Sequence, residues 1–346
     1  MISNDKQVAV WSDTAMYSAA HNEQADRGEA VEPKVTLVSM TTQPLRTMAA
    51  ASELYIGHIV TEPMDVSKYQ AMHWFKEMTR TTLQAPLEFI DLHFFFEGVT
   101  RAFTHQLVRQ RTAVYVQESQ RFAVKENASF EVAYPPSIAK LDPDDPARAE
   151  WDKQVEKMSG AYNALVNSGI PAEDARGLLP TNITTRVHYK TNLRNLAEHA
   201  GMRLCSQAQY EWKQVWYEMI QAILNYGPVH ERWQQREITK LFKPICYQTG
   251  KCGFHAESDR FCSIRDRVDA HAANGDQPET WVDIDPLEPL REGAARLSPD
   301  MAAEMQRNST LPRKWCEEKT AHYEHKYFED RDYLCEGIRR LAGETG

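Results

Sequence analysis

Arg109-Gln110-Arg111 is followed after seven residues by Ser119 and then by Arg121-Phe122, so that several guanidiniums and one hydroxyl share a short stretch of chain. Guanidinium groups stay charged at any working pH and bind phosphate oxygens through paired N–H donors, and a serine hydroxyl adds a neutral hydrogen bond to the same group. The chemistry such a cluster serves is the grip of an anion, a phosphate above all. On spacing alone, a solvated basic face beside a helix end accounts for it equally well.

Downstream, Ala175-Arg176-Gly177-Leu178-Leu179-Pro180 follows Gly169-Ile170-Pro171, and Asn192-x-Arg194 is followed by Met202-Arg203. Together with the first cluster, these segments resemble the flavin-dependent thymidylate synthases. The signature of that family reads Arg-His-Arg, seven residues, Ser, and continues Ser-x-Arg-Tyr. The resemblance covers residues 35–240. It implies an α+β fold, with a mostly antiparallel sheet and long packed helices. It also implies a homotetramer whose active sites are shared between subunits.

By the same resemblance, Arg109, Gln110 and Arg111 match FAD-holding positions, and Asn192 and Arg194 match further flavin contacts. Gln106, Ser119, Arg121, Arg176 and Arg203 match contacts to dUMP. The implied reaction adds a one-carbon unit from methylenetetrahydrofolate to C5 of the uracil ring, with reduced FAD supplying hydride and NADPH as reductant. The catalytic role falls on Arg203, because a guanidinium beside the pyrimidine carbonyls stabilises negative charge as C5 becomes nucleophilic. Arg176 has a plain alternative as a surface partner of Glu173 or Asp174. The single cysteine in the matched region, Cys205, reads as a small core residue and not as a nucleophile.

The departures from the family pattern fall on residues close to the ligands. Gln110 stands where the signature has histidine, keeping a donor and an acceptor but losing titration near neutral pH. Phe122 lacks the tyrosine hydroxyl, Val116-Gln117-Glu118 precedes the signature serine, and Phe89 replaces a histidine. Glu198 occupies a flavin-contact position, where a carboxylate is unfavourable unless paired. These changes leave open a related enzyme acting on dCMP or hydroxymethylating dUMP, and also a nucleotide-binding relative without catalysis.

A second constellation lies outside the matched region. Cys246, Cys252, His255 and Cys262 offer three thiolates and an imidazole, a set suited to closed, structural tetrahedral zinc. Buried thiols beside a hydrogen-bonded histidine are the plain alternative.

The rest of the chain must position these groups. It has 346 residues, 42% of them hydrophobic, enough for one large domain with an appendage. The formal net charge of −9 argues against a general nucleic-acid binder. No apolar run reaches membrane-spanning length, and the polar start lacks a signal pattern, so a cytoplasmic protein is expected. The division expected is a polar arm over 1–34, a core over 35–240 and an extension over 241–346 that carries the Cys/His cluster and a charged helical tail from Lys314.

Within the core, Val35–Met40 and the apolar Leu87–Phe96 read as strands, and Leu45–Leu54 as a helix. Val99, Ala102, Phe103, Gln106 and Leu107 share one side of a helix that ends at the arginine motif, with a loop beyond. Trp151, Val155, Met158, Tyr162 and Leu165 stripe a further helix that Gly169 stops, and Pro171 opens the next. Amphipathic stretches over 191–205 and 207–224 follow. The second has Trp212, Val215, Trp216, Met219 and Ile223 on one face.

Overall fold

The computed structural model describes residues 33–123, 131–139, 141–205, 208–250 and 265–276. All of them belong to the first of two units, Met1–Gly293 and Ala294–Gly346. The polar arm before residue 33, Cys252, His255, Cys262 and the charged tail lie outside the described residues.

Helices surround an antiparallel sheet, as an α+β class requires. Strand β1 (Lys34–Met40) leads through helix α1 (Pro44–Glu53) and helix α2 (Lys68–Arg80) to the long strand β2 (Asp91–Thr100). Helix α3 (Arg101–Leu107) and the short strand β3 (Val114–Gln117) follow, then the long helix α4 (Pro146–Asn167) and strand β4 (Thr184–Asn192). Helices α5 (Leu193–Arg203), α6 (Tyr210–Asn225) and α7 (Trp233–Thr239) complete the core. The sheet order is β1-β2-β4-β3, and every neighbouring pair is antiparallel.

Alternation along the strands makes the sheet two-faced. Leu92, Phe94 and Phe96 of β2, with Val187 and Tyr189 of β4, are buried on one face, where Phe96 meets Phe103 and Phe103 in turn packs on Trp212. The opposite face carries His93 and Phe95 beside His188, with the His93 and His188 rings joined by a 3.0 Å hydrogen bond. Val114 and Val116 extend that face and stay exposed.

The strand expected over Leu87–Phe96 starts later than its composition implies. Pro86 sits in a 3-10 turn, Ala85–Phe89, and pairing begins at Asp91. The helix expected from Val99 begins at Arg101, because Thr100 is its N-cap and accepts a hydrogen bond from Phe103 N through its side chain. The expected loop after the arginine motif is instead β3, an edge strand paired to β4. Gly169 does stop α4: its φ of 88° lies in the left-handed region, and the N–H groups of Gly169 and Ile170 bond back to Val166 O and Leu165 O. Of the stripe on α4, Tyr162 is buried with Val132, Ala175 and Ile183, and Trp151 and Val155 pack against that cluster.

Candidate functional site

Two helices leave the sheet directly from strand ends, without a loop. Thr100 closes β2 and caps α3, and Asn192 closes β4 and caps α5 by accepting from Asn195 N. Because β2 and β4 are antiparallel, these caps stand at opposite ends of the sheet. The C-terminal ends of the two helices nevertheless meet. Arg203, the last residue of α5, donates from Nη1 to Gln106 Oε1 near the end of α3, at 2.9 Å.

The Gln106–Arg203 contact has a defined floor. The Arg203 guanidinium carbon lies 4.8 Å from the Trp212 ring centroid, a cation–π distance, and Trp212 Nε1 donates to the same Gln106 oxygen at 2.9 Å. Burial lowers the pKa of Arg203, and its Nε is buried without a hydrogen-bond partner among the described residues. A buried N–H left without an acceptor is uncommon in a folded protein and calls for an explanation. Behind it, His199 is buried edge-on to Trp212, and its pKa is pushed down to about 3, first by burial and then by Arg203.

A second set gathers where α3 begins. Arg121 pairs with Glu173 at 2.9 Å, and Arg176 donates from Nε to the Glu173 backbone carbonyl at 3.0 Å. Glu173 thus joins two of the expected nucleotide contacts, although Arg176 uses its main chain and not its carboxylate. Ser119 Oγ accepts from Arg121 N at 3.2 Å and, with Arg101, Thr185, Leu179 and Ile183, lines a small cavity. Arg101 belongs to no motif or spacing that marks it in the sequence. It donates to Glu118 O at 2.9 Å, its Nε and Thr185 Oγ1 are buried without partners, and burial is the main cause lowering its pKa. No hydrogen bond or ion pair among the described residues joins this set to the Gln106–Arg203 contact.

The expected flavin positions divide by their surroundings. Arg109 and Arg111 are exposed, and no hydrogen bond or ion pair among the described residues engages their guanidiniums. Gln110 is tied into the fold: its Oε1 accepts from Tyr189 OH at 2.7 Å and its Nε2 donates to Asn195 O at 3.2 Å. The Asn192 side chain is occupied as a helix cap. Arg194 pairs with Glu88 at 2.7 Å and lies 3.7 Å from Glu198, so the unfavourable carboxylate of Glu198 has a cationic neighbour. Phe89 and Phe122 are exposed, and Cys205 is half-buried, less enclosed than a core reading implies.

Of the expected zinc ligands, only Cys246 lies among the described residues, half-buried on a short helix, Ile245–Thr249. No group of three or more His, Cys, Asp or Glu among the described residues is placed to hold a metal ion. No helix among them is long and apolar enough to cross a membrane.

Comparison with known proteins identifies the class to which this α+β fold belongs. Residues 36–229 match the family described as thymidylate synthase complementing protein. A flavin-dependent thymidylate synthase of Pyrococcus furiosus is 33% identical over 225 residues, covering 63% of this chain and 88% of the relative. Proteins of the same name from Geobacter sulfurreducens (30% over 197 residues, 56% and 84%) and Clostridium tetani (28% over 220 residues, 58% and 86%) also match. The chain belongs to the flavin-dependent thymidylate synthase family, a family of enzymes.

Proposed function

We propose that this chain methylates dUMP to dTMP, with methylenetetrahydrofolate as carbon donor, FAD as the bound flavin and NADPH as reductant. The observation that carries the reading is the Arg203–Gln106 hydrogen bond. It brings together two residues 97 positions apart, each matching a nucleotide contact of the family, and leaves an unsatisfied Arg203 N–H beside them.

The residues at the flavin positions fit the group. Arg109 and Arg111 are exposed, and their guanidiniums, unengaged among the described residues, suit a pyrophosphate; Arg194 stands between Glu88 and Glu198. Bound there, a reduced flavin supplies the hydride that a methyl product requires. This chain's own residues then do the positioning and the electrostatics. Ser119, Arg121 and Arg176 grip the nucleotide phosphate. Arg203 stabilises negative charge on the pyrimidine carbonyls, held by Gln106 and a buried indole so that little reorganisation accompanies charge development.

The reading includes a homotetramer. Its support is the exposed Val114 and Val116 on the open sheet face, together with the family resemblance. It also includes structural zinc at Cys246, Cys252, His255 and Cys262, supported by ligand type and spacing.

Titration of the purified protein with dUMP, followed in the flavin absorbance, tests the reading. Saturable perturbation by dUMP and a weaker response to dCMP are expected. Protein that takes up no flavin from excess FAD would contradict it.

A further inference from the structure

Gln106 is itself held by a chain of hydrogen bonds that leads away from the site. Its Nε2 donates to Gln209 Oε1 at 2.6 Å, and Gln209 Nε2 donates to Glu211 Oε2 at 3.4 Å. Glu211, 2% exposed in the first turn of α6, also accepts from Thr100 Oγ1 through Oε2 and from Thr100 N through Oε1, both at 2.6 Å.

The polarity of this chain admits one arrangement. Arg203 and the Trp212 indole can only donate, so the oxygen of Gln106 must face them and its NH2 must face Gln209. The Gln209 oxygen is thereby committed to Gln106 and its NH2 to Glu211. At the far end the Thr100 N–H can only donate, so Glu211 Oε1 accepts there whichever protonation state the carboxyl holds. Were Gln209 absent, the Gln106 NH2 would lose its acceptor, and only the two donors on its oxygen would hold the amide in place.

We propose that Glu211 and Gln209 are positioning residues for the nucleotide site, fixing through Gln106 the placement of the Arg203 guanidinium. The same carboxylate holds the Thr100 cap from which α3 starts, so one buried group sets both the origin of the helix that carries Gln106 and the rotation of its amide. The proposal rests on the reading of Gln106 and Arg203 as nucleotide contacts, and its test separates the two.

Gln209→Met keeps side-chain length and removes both hydrogen bonds. It is expected to weaken dUMP binding about tenfold, the effect of one lost hydrogen bond to a charged network, while FAD content stays unchanged. In a Gln106→Met background the same change should have no further effect, because the relay acts through Gln106. Glu211→Gln, which turns one acceptor into a donor, should weaken binding in the same direction. Full affinity in Gln209→Met, an equal loss in the Gln106→Met background, or a loss confined to Glu211→Gln would overturn the proposal. If the unmodified protein binds no dUMP, the functional reading fails, and a crystal structure of Gln209→Met decides the relay. Departure of the Gln106 oxygen from Arg203 supports it, and retention of that contact refutes it.

Discussion

Replacing His199 by Phe should remove a large acid-induced loss of stability. His199 is 3% exposed, its Nε2 has no hydrogen-bond partner, and its ring packs edge-on to Trp212 at 4.9 Å. Desolvation, and then the charge of Arg203, push its pKa down to about 3 from 6.5. The folded-state pKa is depressed, so as pH falls below about 6.5 the unfolded chain binds a proton that the folded chain refuses, and stability drops. Each pH unit in that window costs about 1.4 kcal/mol, so the loss between pH 8 and pH 5 is about 2 kcal/mol.

Phenylalanine fills similar space without titrating, so urea unfolding of the two proteins at pH 8 and pH 5, at matched concentration, reads the difference directly. The variant should be at least as stable at pH 8, because an unsatisfied buried nitrogen is gone, and should lose about 2 kcal/mol less on acidification. Glu211, pushed up to about 7 chiefly by burial, has the opposite sign and is common to both proteins. A folded carboxylate with a raised pKa loses relative stability as pH rises from about 4.5 to 7. Parallel pH dependences in the two proteins would refute the buried neutral imidazole.

Arg109→Ala or Arg194→Ala should strip FAD from an otherwise folded protein, since loss of a charge-assisted contact costs about 1.5–3 kcal/mol, up to roughly a hundredfold in affinity. Flavin content by absorbance after desalting checks it, and Arg109, which has no partner to lose among the described residues, is the cleaner test. Ser119→Ala should weaken nucleotide binding by about 1 kcal/mol while turnover persists, because Ser119 is assigned to gripping and not to attack; a covalent pyrimidine adduct on Ser119 would refute that role. Elemental analysis of protein purified without added metal should find about one zinc per chain, lowered by Cys252→Ser with FAD content spared.

What the sequence made legible was whatever depends on local periodicity and local chemistry. The face of α6 that carries Trp212, Trp216 and Ile223 is buried as its spacing requires, and Gly169 ends α4 as a left-handed position should. The strand β4 went unread, although its buried Val187, Tyr189 and Thr191 alternate with Arg186, His188 and Lys190 and gave a usable signal. At four residues, with Val114 and Val116 exposed, β3 carries too little pattern to separate it from a loop, and pairing with β4 defines it. Arg101 and Glu211 illustrate a different limit. Their placement comes from partners distant in the chain, Glu118 for the first and Thr100 for the second, and no periodicity encodes such partnerships.

The central claim is tested most directly by the mass of the nucleotide formed when the FAD-loaded protein is incubated with dUMP, methylenetetrahydrofolate and NADPH. The account predicts dTMP, with the added carbon supplied by the folate and its formation abolished or sharply slowed by Arg203→Ala. A hydroxymethylated product, conversion of dCMP instead of dUMP, or recovery of unchanged dUMP from flavin-loaded protein would contradict it.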